Sequence, residues 1–550
     1  MVLVFQKSSP LSLFLLYIFL SFSGNIENME SNGSLFRRLK GNEVQTMGKE
    51  ARPAYRKPRG EDENRLLSGN LEADLIEIRR QLANSDDLLI HRHRAGRVEL
   101  AVMMFDGLVS NTQVSDFLLR PVTRIPPEMD TGEKVYRYLG GGGVIMAGEQ
   151  KEVRTFGELM AITMSGFAVV LVEGVPAGLA LGYQGFKTRG VDEPSSERNL
   201  RGSREGFTES INSNMGMVRR RIRSPLLTIE GTTAGTVSNT VVKIFYLRGM
   251  ASPRLVQEIK ERISKVEISV VLDSGYLQPF LDGKRLSLFS GVGMTERPDT
   301  LCAKLSEGRV AVMVEGTPFA LILPYLFIEH FQSLDDYIHR PYFASFIRLL
   351  KLLSFFVTIL LPGYYVAVVS FHPELIPQGL LSQFVGSALD TPLPVVLEAL
   401  VVFFLYELLR EAGLRIPSPI GHAMGIVGGI VIGDAAVSAG LIGLPMVIII
   451  ALTAVSSFVV PSLYEPVTVL RFAFIVVGGL LGLYGVYLSF ALLVFNLCSI
   501  KSMGVPVTAP ISPADGYSFR DMFIRSGWKV LQKETLRVEN LPGAEGKERV

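Results

Sequence analysis

Cysteine is almost missing from this chain: Cys302 and Cys498 are the only two among 550 residues. That excludes a disulfide scaffold and a thiolate metal framework, and it suits a reducing compartment. Tryptophan occurs once, as Trp528 in the tail. Net charge is nearly absent too, with 55 Lys and Arg against 53 Asp and Glu, so no basic excess points to nucleic acid. Catalytic motifs are lacking. The run Gly140–Gly143 has neither the lysine nor the hydroxyl residue that a phosphate-binding loop needs at its end. There is no H-E-x-x-H. His91 and His93 form an i, i+2 pair in a strand-like stretch without a nearby cysteine, a poor ligand set for a metal. No Ser/His/Asp set assembles by motif. The chain reads as a non-enzyme that needs no cofactor and no metal.

What is abundant is apolar residue: 48% hydrophobic against 20% charged, with a mean hydropathy of +0.31. The excess is concentrated between residues 345 and 501. A hydrocarbon core about 30 Å thick takes roughly 20 apolar residues of helix. Five stretches qualify, at about 348–370, 393–410, 420–443, 445–461 and 468–500. Lys and Arg alternate across the connecting loops: Arg340, Arg348 and Lys351 open the first stretch, 371–392 has none, and Arg410 and Arg415 follow the second. The positive-inside rule then puts the large N-terminal region in the cytoplasm. The C-terminal tail is basic as well, with Lys501, Arg520, Arg525 and Lys529. Five crossings would put it outside. The long fifth stretch carries Gly478, Gly479, Gly482 and Gly485, so it either folds back on itself there or another segment dips in, and the count is five or six.

The soluble half reads as a duplication. Phe105-Asp106-Gly107 aligns with Leu247-Arg248-Gly249, and Val172-Glu173-Gly174-Val175-Pro176 with Val314-Glu315-Gly316-Thr317-Pro318, at one and the same spacing. A constant offset at two separated places predicts two similar α/β subdomains, 71–190 and 200–335, joined through a polar linker at 191–210. The Glu of each V-E-G-x-P turn reads as a solvated or capping residue. In the second subdomain, Ser252 as N-cap and Pro253 as first helical residue precede a stripe of Leu255, Val256, Ile259 and Ile263. Residues 1–70 read as a largely disordered extension. Within them, LSLFLLYIFLSF at 11–22 looks like a leader or anchor, yet export would contradict the cytoplasmic orientation. The expectation is therefore that translation starts at Met29 and that 1–28 are an over-extended reading frame. The helical membrane domain covers 340–501 and a cytoplasmic tail 502–550.

Several residues stand out as working parts. Gly421, Gly425, Gly429 and Gly433 recur every four positions, a small-residue stripe that lets helices approach closely. Glu398 and Asp434 are carboxylates inside apolar stretches, where charge is costly and usually faces a bundle interior or a water-filled path. Thr453, Ser456 and Ser457 give the fourth stretch a polar side. Glu407, Arg410 and Glu411 read as an ion-pair cluster at a membrane surface. Arg204, Glu205, Phe207 and the basic run Arg219, Arg220 and Arg221 read as a subunit contact.

These residues carry a family resemblance. GSREGFTESINSNMGMVRRRIRSP (202–225), LDSGYLQPF (272–280) with TERPD (295–299), HRPYFASFIRLL (339–350) with LLPGYYVAVVSFHPELIP (360–377), ELLREAGLRIPSPIGHAMGIVGGIVIGDAAV (407–437) and SMGVPVTAPISP (502–513) resemble the A subunit of bacterial spore-germination receptors, the GerA family, over about residues 70–515. The chain departs from that pattern at Asp434, where the family more often has Gln or Glu. The resemblance implies a two-subdomain cytosolic region and a membrane domain in the inner membrane of the spore. It further implies B- and C-type partner subunits, and homo-oligomerisation into a germinant-gated ion channel. A branch resembling stage V sporulation protein AF shares the pattern without being a receptor subunit. The carboxylates Glu398 and Asp434 would set the charge of a cation path. Two other readings remain open: a non-conducting scaffold that recruits partner subunits, and a secondary transporter.

Overall fold

The computed structural model describes residues 64–545, apart from 127–128, 142–144, 186–196, 198–200, 283–286, 416–432, 515–517 and 533–536. The expected start at Met29, the apolar run at 11–22 and three glycines of the stripe, Gly421, Gly425 and Gly429, lie outside the described residues.

The first α/β unit runs α1 (Leu71–Gln81), β1 (Leu88–Ala95), β2 (Val98–Phe105), α2 (Gly132–Gly140), β3 (Gln150–Val153), α3 (Phe156–Thr163), β4 (Phe167–Val172) and β5 (Gly178–Gly182). Its sheet has the order β1-β2-β4-β5-β3, antiparallel throughout. Period-two alternation along β2 sends Leu100, Val102 and Met104 to one face and Ala101, Met103 and Phe105 to the other. The first face packs on Val135 and Leu139 of α2, the second on Leu71, Leu75 and Ile78 of α1 and Phe156 and Leu159 of α3. A strand covered on both faces must be apolar at nearly every position, which is why β2 and β4 read as unbroken runs.

The second unit repeats the plan: α4 (Ile211–Arg221), β6 (Leu227–Ala234), β7 (Thr240–Leu247), α5 (Pro253–Ser264), β8 (Gly293–Thr295), α6 (Pro298–Ser306), β9 (Val310–Val314) and β10 (Ala320–Leu323). The strand order β6-β7-β9-β10-β8 matches the first sheet position for position. Ser252 stands at the N-cap of α5 and Pro253 opens it, and the stripe Leu255, Val256, Ile259 and Ile263 packs on Val242 and Ile244 of the sheet. The repeated glutamates do one job twice. Glu173 Oε2 accepts from the Leu71 backbone N–H at 2.7 Å, and Glu315 Oε2 from that of Ile211 at 3.0 Å. Each satisfies an orphan N–H at the start of its unit's first helix, where a negative charge is also favoured.

The C-terminal part is helical: α7 (Pro341–Phe371), α8 (Gln378–Asp390), α9 (Val395–Arg415), α10 (Gly433–Ser438), α11 (Leu444–Ser457) and α12 (Tyr464–Ser499). Among the described residues, the helices at Pro341–Phe371 and Pro461–Ser499 are long and apolar enough to cross a membrane, and Leu444–Ser457 is apolar but shorter. Helix α9 has the length for a crossing but carries Glu398, Glu407, Arg410, Glu411 and Arg415.

Helix α12 is not straight. As one rod its 36 residues would extend about 54 Å. Instead Gly482, at φ 61° and ψ −152°, breaks the helix in a region that only glycine adopts without strain. A Cβ on Gly485 would stand 2.9 Å from the carbonyl oxygen of Val477, eight residues earlier, where an unbroken helix would separate them by about 12 Å. Both ends reach the turn Phe327–Phe331 at the foot of the second unit: Ser462 Oγ lies 3.0 Å from His330 Nδ1, and Ile500 bonds Val507, whose carbonyl accepts from Phe327. Of the two possibilities left by the sequence, the fifth stretch takes the fold-back.

The tightest helix contact lies between α7 and α12. A Cβ on Gly478 would sit 2.5 Å from the carbonyl oxygen of Gly363, and one on Gly363 2.5 Å from that of Phe474. By contrast, nothing lies within 4 Å of the Cβ position of Gly433, the one described glycine of the expected stripe. Among the described residues, no neighbouring backbone approaches Gly433 closely. Gly478→Ala should destabilise the chain by on the order of 2 kcal/mol despite alanine's better helix propensity, since the obstacle is backbone and cannot rotate away. Gly433→Ala should be neutral or mildly stabilising. Thermal unfolding of the two variants of the full chain in detergent tests the contrast, and equal midpoints would refute it.

Candidate functional site

Two groups of polar residues lie inside the helical part, one towards each end. Glu398, 2% exposed, is at the start of α9, and its Oε1 accepts from the Gly443 backbone N–H at 2.8 Å. Gly443 is the N-cap of α11, so the carboxylate satisfies an orphan donor at a helix N-terminus. Thr453 Oγ1 donates to the Ile449 carbonyl at 2.6 Å and Ser457 Oγ to that of Ala454 at 2.7 Å, while Tyr406 Oη lies 3.3 Å from Ser457 Oγ. Ser456 is buried. The hydroxyls are thus turned back on their own helix, an arrangement that polar side chains take in apolar surroundings. Asp434 lies in α10, immediately after the segment outside the described residues.

At the other end, Glu407 gathers partners that the sequence did not assign to it. Arg471 Nη1 of α12 bonds Glu407 Oε1 at 2.9 Å, and Tyr464 Oη donates to Oε2. Arg410 is farther, at 3.5 Å from Oε2, with its guanidinium 3.0 Å from the centre of the Tyr464 ring. Glu411 does not join; it pairs with Arg415 one turn on, 2.6 Å away. Of the expected cluster of Glu407, Arg410 and Glu411 the Glu407–Arg410 pair is present, and the half-buried Glu407 is shared with the buried Arg471 and with Tyr464. The physical reason is the return of α12 beside α9, which supplies a cation 64 positions along the chain. Arg471 is fully buried against Phe403 and Tyr406, and its Nε and Nη2 have no acceptor among the described residues.

The basic run of α4 also resolves differently from expectation. Arg219 is fully buried and belongs to no subunit contact: its Nε and Nη2 each lie 2.9 Å from an oxygen of Asp87 in the first unit, Nη1 donates to the Leu227 carbonyl at 3.0 Å, and the guanidinium lies over Phe105. Ser85 completes the set, donating to Asp87 at 2.6 Å and accepting from the Ile229 N–H. This is the lock between the two units. Phe207 is buried in the core of the second unit, and Arg220 and Arg221 both pair with Glu205. Of the six candidates only Arg204 is left exposed. Sequence reasoning also missed Arg297, which holds the linker by donating to the Ser203 carbonyl at 2.8 Å while paired with Asp299. Nearby, Thr295 donates to Glu197 at 2.6 Å, and burial pushes the Glu197 carboxyl up to about 7.

A third group joins the soluble units to the helices. Arg309 is fully buried between Glu329 and Glu307, and Lys304 also reaches Glu329 at 2.5 Å. Burial works against the Glu329 charge, but Arg309 and Lys304 together hold its carboxyl below the usual range. Burial also keeps the neighbouring His330 imidazole neutral, down at about 4. On α7, Arg348 bonds Asp336 at 2.7 Å and Asp521 of the tail at 2.8 Å. One belt of ion pairs thus ties together the foot of the second unit, the start of α7 and the tail, with both ends of α12 packed beside it.

The arrangement defines a class: a duplicated α/β region whose second unit is bonded to an apolar helical bundle, with no group of metal-ligating residues among those described. The sequence profile of the family described as "Bacillus/Clostridium GerA spore germination protein" matches residues 76–536, and the chain belongs to that family. Spore germination protein KA of Bacillus subtilis (strain 168) is 36% identical over 471 residues, which span 84% of this chain and 86% of that protein. The uncharacterized membrane protein YfkQ of the same organism is 33% identical over 472 residues, spanning 85% and 91%. Among solved structures, the N-terminal domain of the A subunit of the Bacillus megaterium spore germinant receptor GerK3 is similar at 29% identity and a TM-score of 0.37, covering 48% of this chain and 97% of that domain.

Proposed function

We propose that this protein is the A-type subunit of a germinant receptor in the spore inner membrane, working with B- and C-type subunits, and that several copies assemble around an ion path. The observation that carries the reading is the fold-back of α12 at Gly482 in a chain of this family. It returns the tail to the side of the soluble units, which supports an even number of crossings. Residues 345–348 of α7 and Ser462, just before α12, mark one end of the bundle, Phe371 and Gly482 the other. Arg415 ends α9 beyond Glu407, near the first end, whereas Gly443 lies beside Glu398 near the second. An even number favours six over five, the two counts that the sequence leaves open. Exposed apolar side chains such as Leu480, Tyr484 and Phe495, at 70%, 72% and 75%, suit contact with lipid or with another copy.

A second reading, a non-conducting scaffold, draws on Glu398, Thr453 and Ser457, each of which makes a hydrogen bond within one copy. Ion flux through the full chain in liposomes, alone and with its partner subunits, separates the two. The channel reading expects flux that falls or loses cation preference in Glu398→Gln or Asp434→Asn. Flux absent in every combination while partner binding persists would overturn it in favour of the scaffold.

A further inference from the structure

We propose that the C-terminal tail lies in the headgroup layer of the membrane, with Trp528 as an interfacial anchor on the side of the soluble units. The inference rests on the membrane reading above and adds a lipid-contacting site outside the crossing helices. Tail residues 521–525 are fixed at one level of α7. Arg348 Nη1 donates to Asp521 Oδ1 at 2.8 Å and to the Met522 carbonyl at 2.7 Å, and the Arg525 N–H donates to Ser345 Oγ at 2.9 Å. Tyr337 Oη donates to Asp521 Oδ2 at 2.8 Å. Counting back from Phe371 at 1.5 Å per residue, a hydrocarbon core about 30 Å thick ends near residue 351. The level of residues 345–348 is therefore about 5–9 Å outside it, at the outer part of the polar layer, which adds about 5–7.5 Å on each side of the core.

The side chains exposed at that level are those the layer favours. Trp528 is 59% exposed, with its ring 6.1 Å from that of Tyr337 and the Arg525 guanidinium 5.1 Å from its centre. Tyr342, Phe343 and Phe346 are exposed on the first turns of α7, forming with Trp528 the kind of aromatic belt found at membrane–water boundaries. Lys529 and Arg340 are exposed beside them, giving the surface the cations that anionic headgroups attract. The Tyr337 ring packs between the Arg348 guanidinium and Trp528 and so links the tail to the start of α7. Apolar rings with polar edges, flanked by cations and held at a fixed depth, suit lipid better than a bulk-water face.

The chain supplies its own probe, because Trp528 is its only tryptophan. The full chain is placed in vesicles of phosphatidylcholine and phosphatidylglycerol in which the phosphatidylcholine is brominated either near the headgroup end or deep in the acyl chain. Emission should be quenched about twofold more strongly by the shallow bromine than by the deep one. A Phe346→Trp variant in a Trp528→Phe background reports the start of α7 in the same vesicles. Quenching at position 346 with none at 528 would overturn the proposal while leaving the membrane reading intact. Quenching at neither position, with the protein removed from the vesicles by alkaline washing, would overturn both. Protection of Trp528 from lipid bromine and from aqueous iodide alike would mean that protein covers it, and would also sink the proposal.

Discussion

Arg219→Ala should lower the unfolding midpoint of the soluble units by roughly 10 °C, the largest effect expected of any substitution in that half. The reason is what it leaves behind. Asp87 is fully buried, and both its oxygens face the Arg219 guanidinium. Removing one member of a buried ion pair costs about 3–5 kcal/mol, because the remaining charge keeps its desolvation and loses its partner. The same substitution at Arg221, which is partly exposed and shares Glu205 with Arg220, should cost no more than about 1 kcal/mol. Replacing both Arg219 and Asp87 by apolar residues of similar volume should recover most of the loss. Differential scanning calorimetry of the full chain, with the double variant closing the cycle, measures the coupling. Near-additive single and double changes would show that the pair is not what holds the two units together.

That contrast also marks the limit of the sequence. Arg219, Arg220 and Arg221 are one run of identical letters, and nothing local distinguishes the buried one. The distinction comes from Asp87, 132 positions earlier, which reaches α4 only because the two units dock. The duplication was legible for the opposite reason. It rests on strands whose period and spacing are written in contiguous residues, and on a V-E-G-x-P turn that performs the same local capping in both copies. Glycines need distant partners to be read as contacts. Three glycines of the four-residue stripe lie outside the described residues, and the close backbone contact among those described joins Gly363 to Gly478, on helices far apart in sequence. Gly482 could be read as a place to fold back, because a positive φ is a local demand that glycine alone meets cheaply. Which of the two open topologies the chain takes could not be read, since that depends on where the far ends of α12 find partners.

Glu407→Ala should be the most damaging single change in the helical part, and it argues for a different use of buried charge. Arg219 has every donor group engaged, whereas Arg471 donates to Glu407 and, among the described residues, finds no acceptor for Nε and Nη2. Taking the carboxylate away strands a full cation among Phe403, Tyr406 and apolar helix surface, at a cost of about 3–5 kcal/mol. Glu407→Gln keeps an acceptor and loses the charge, so its cost should fall between those of Glu407→Ala and the unchanged chain. Because Tyr464 donates to the same carboxylate, the pair fixes the start of α12 against α9, and its loss should free the first half of the hairpin before the soluble units are touched. Limited proteolysis of the full chain in detergent should then show new cleavage near residues 458–463, between α11 and α12, with the soluble units intact. Unchanged cleavage together with an unchanged unfolding midpoint would mean that the aromatic rings around Arg471 suffice to hold it. An arginine with two free donors inside a helix bundle is more expensive than packing alone requires. Its position where α9 and the hairpin meet, one helix away from the ion-pair belt at the foot of the soluble units, makes it the natural point at which movement of those units would be felt within the bundle.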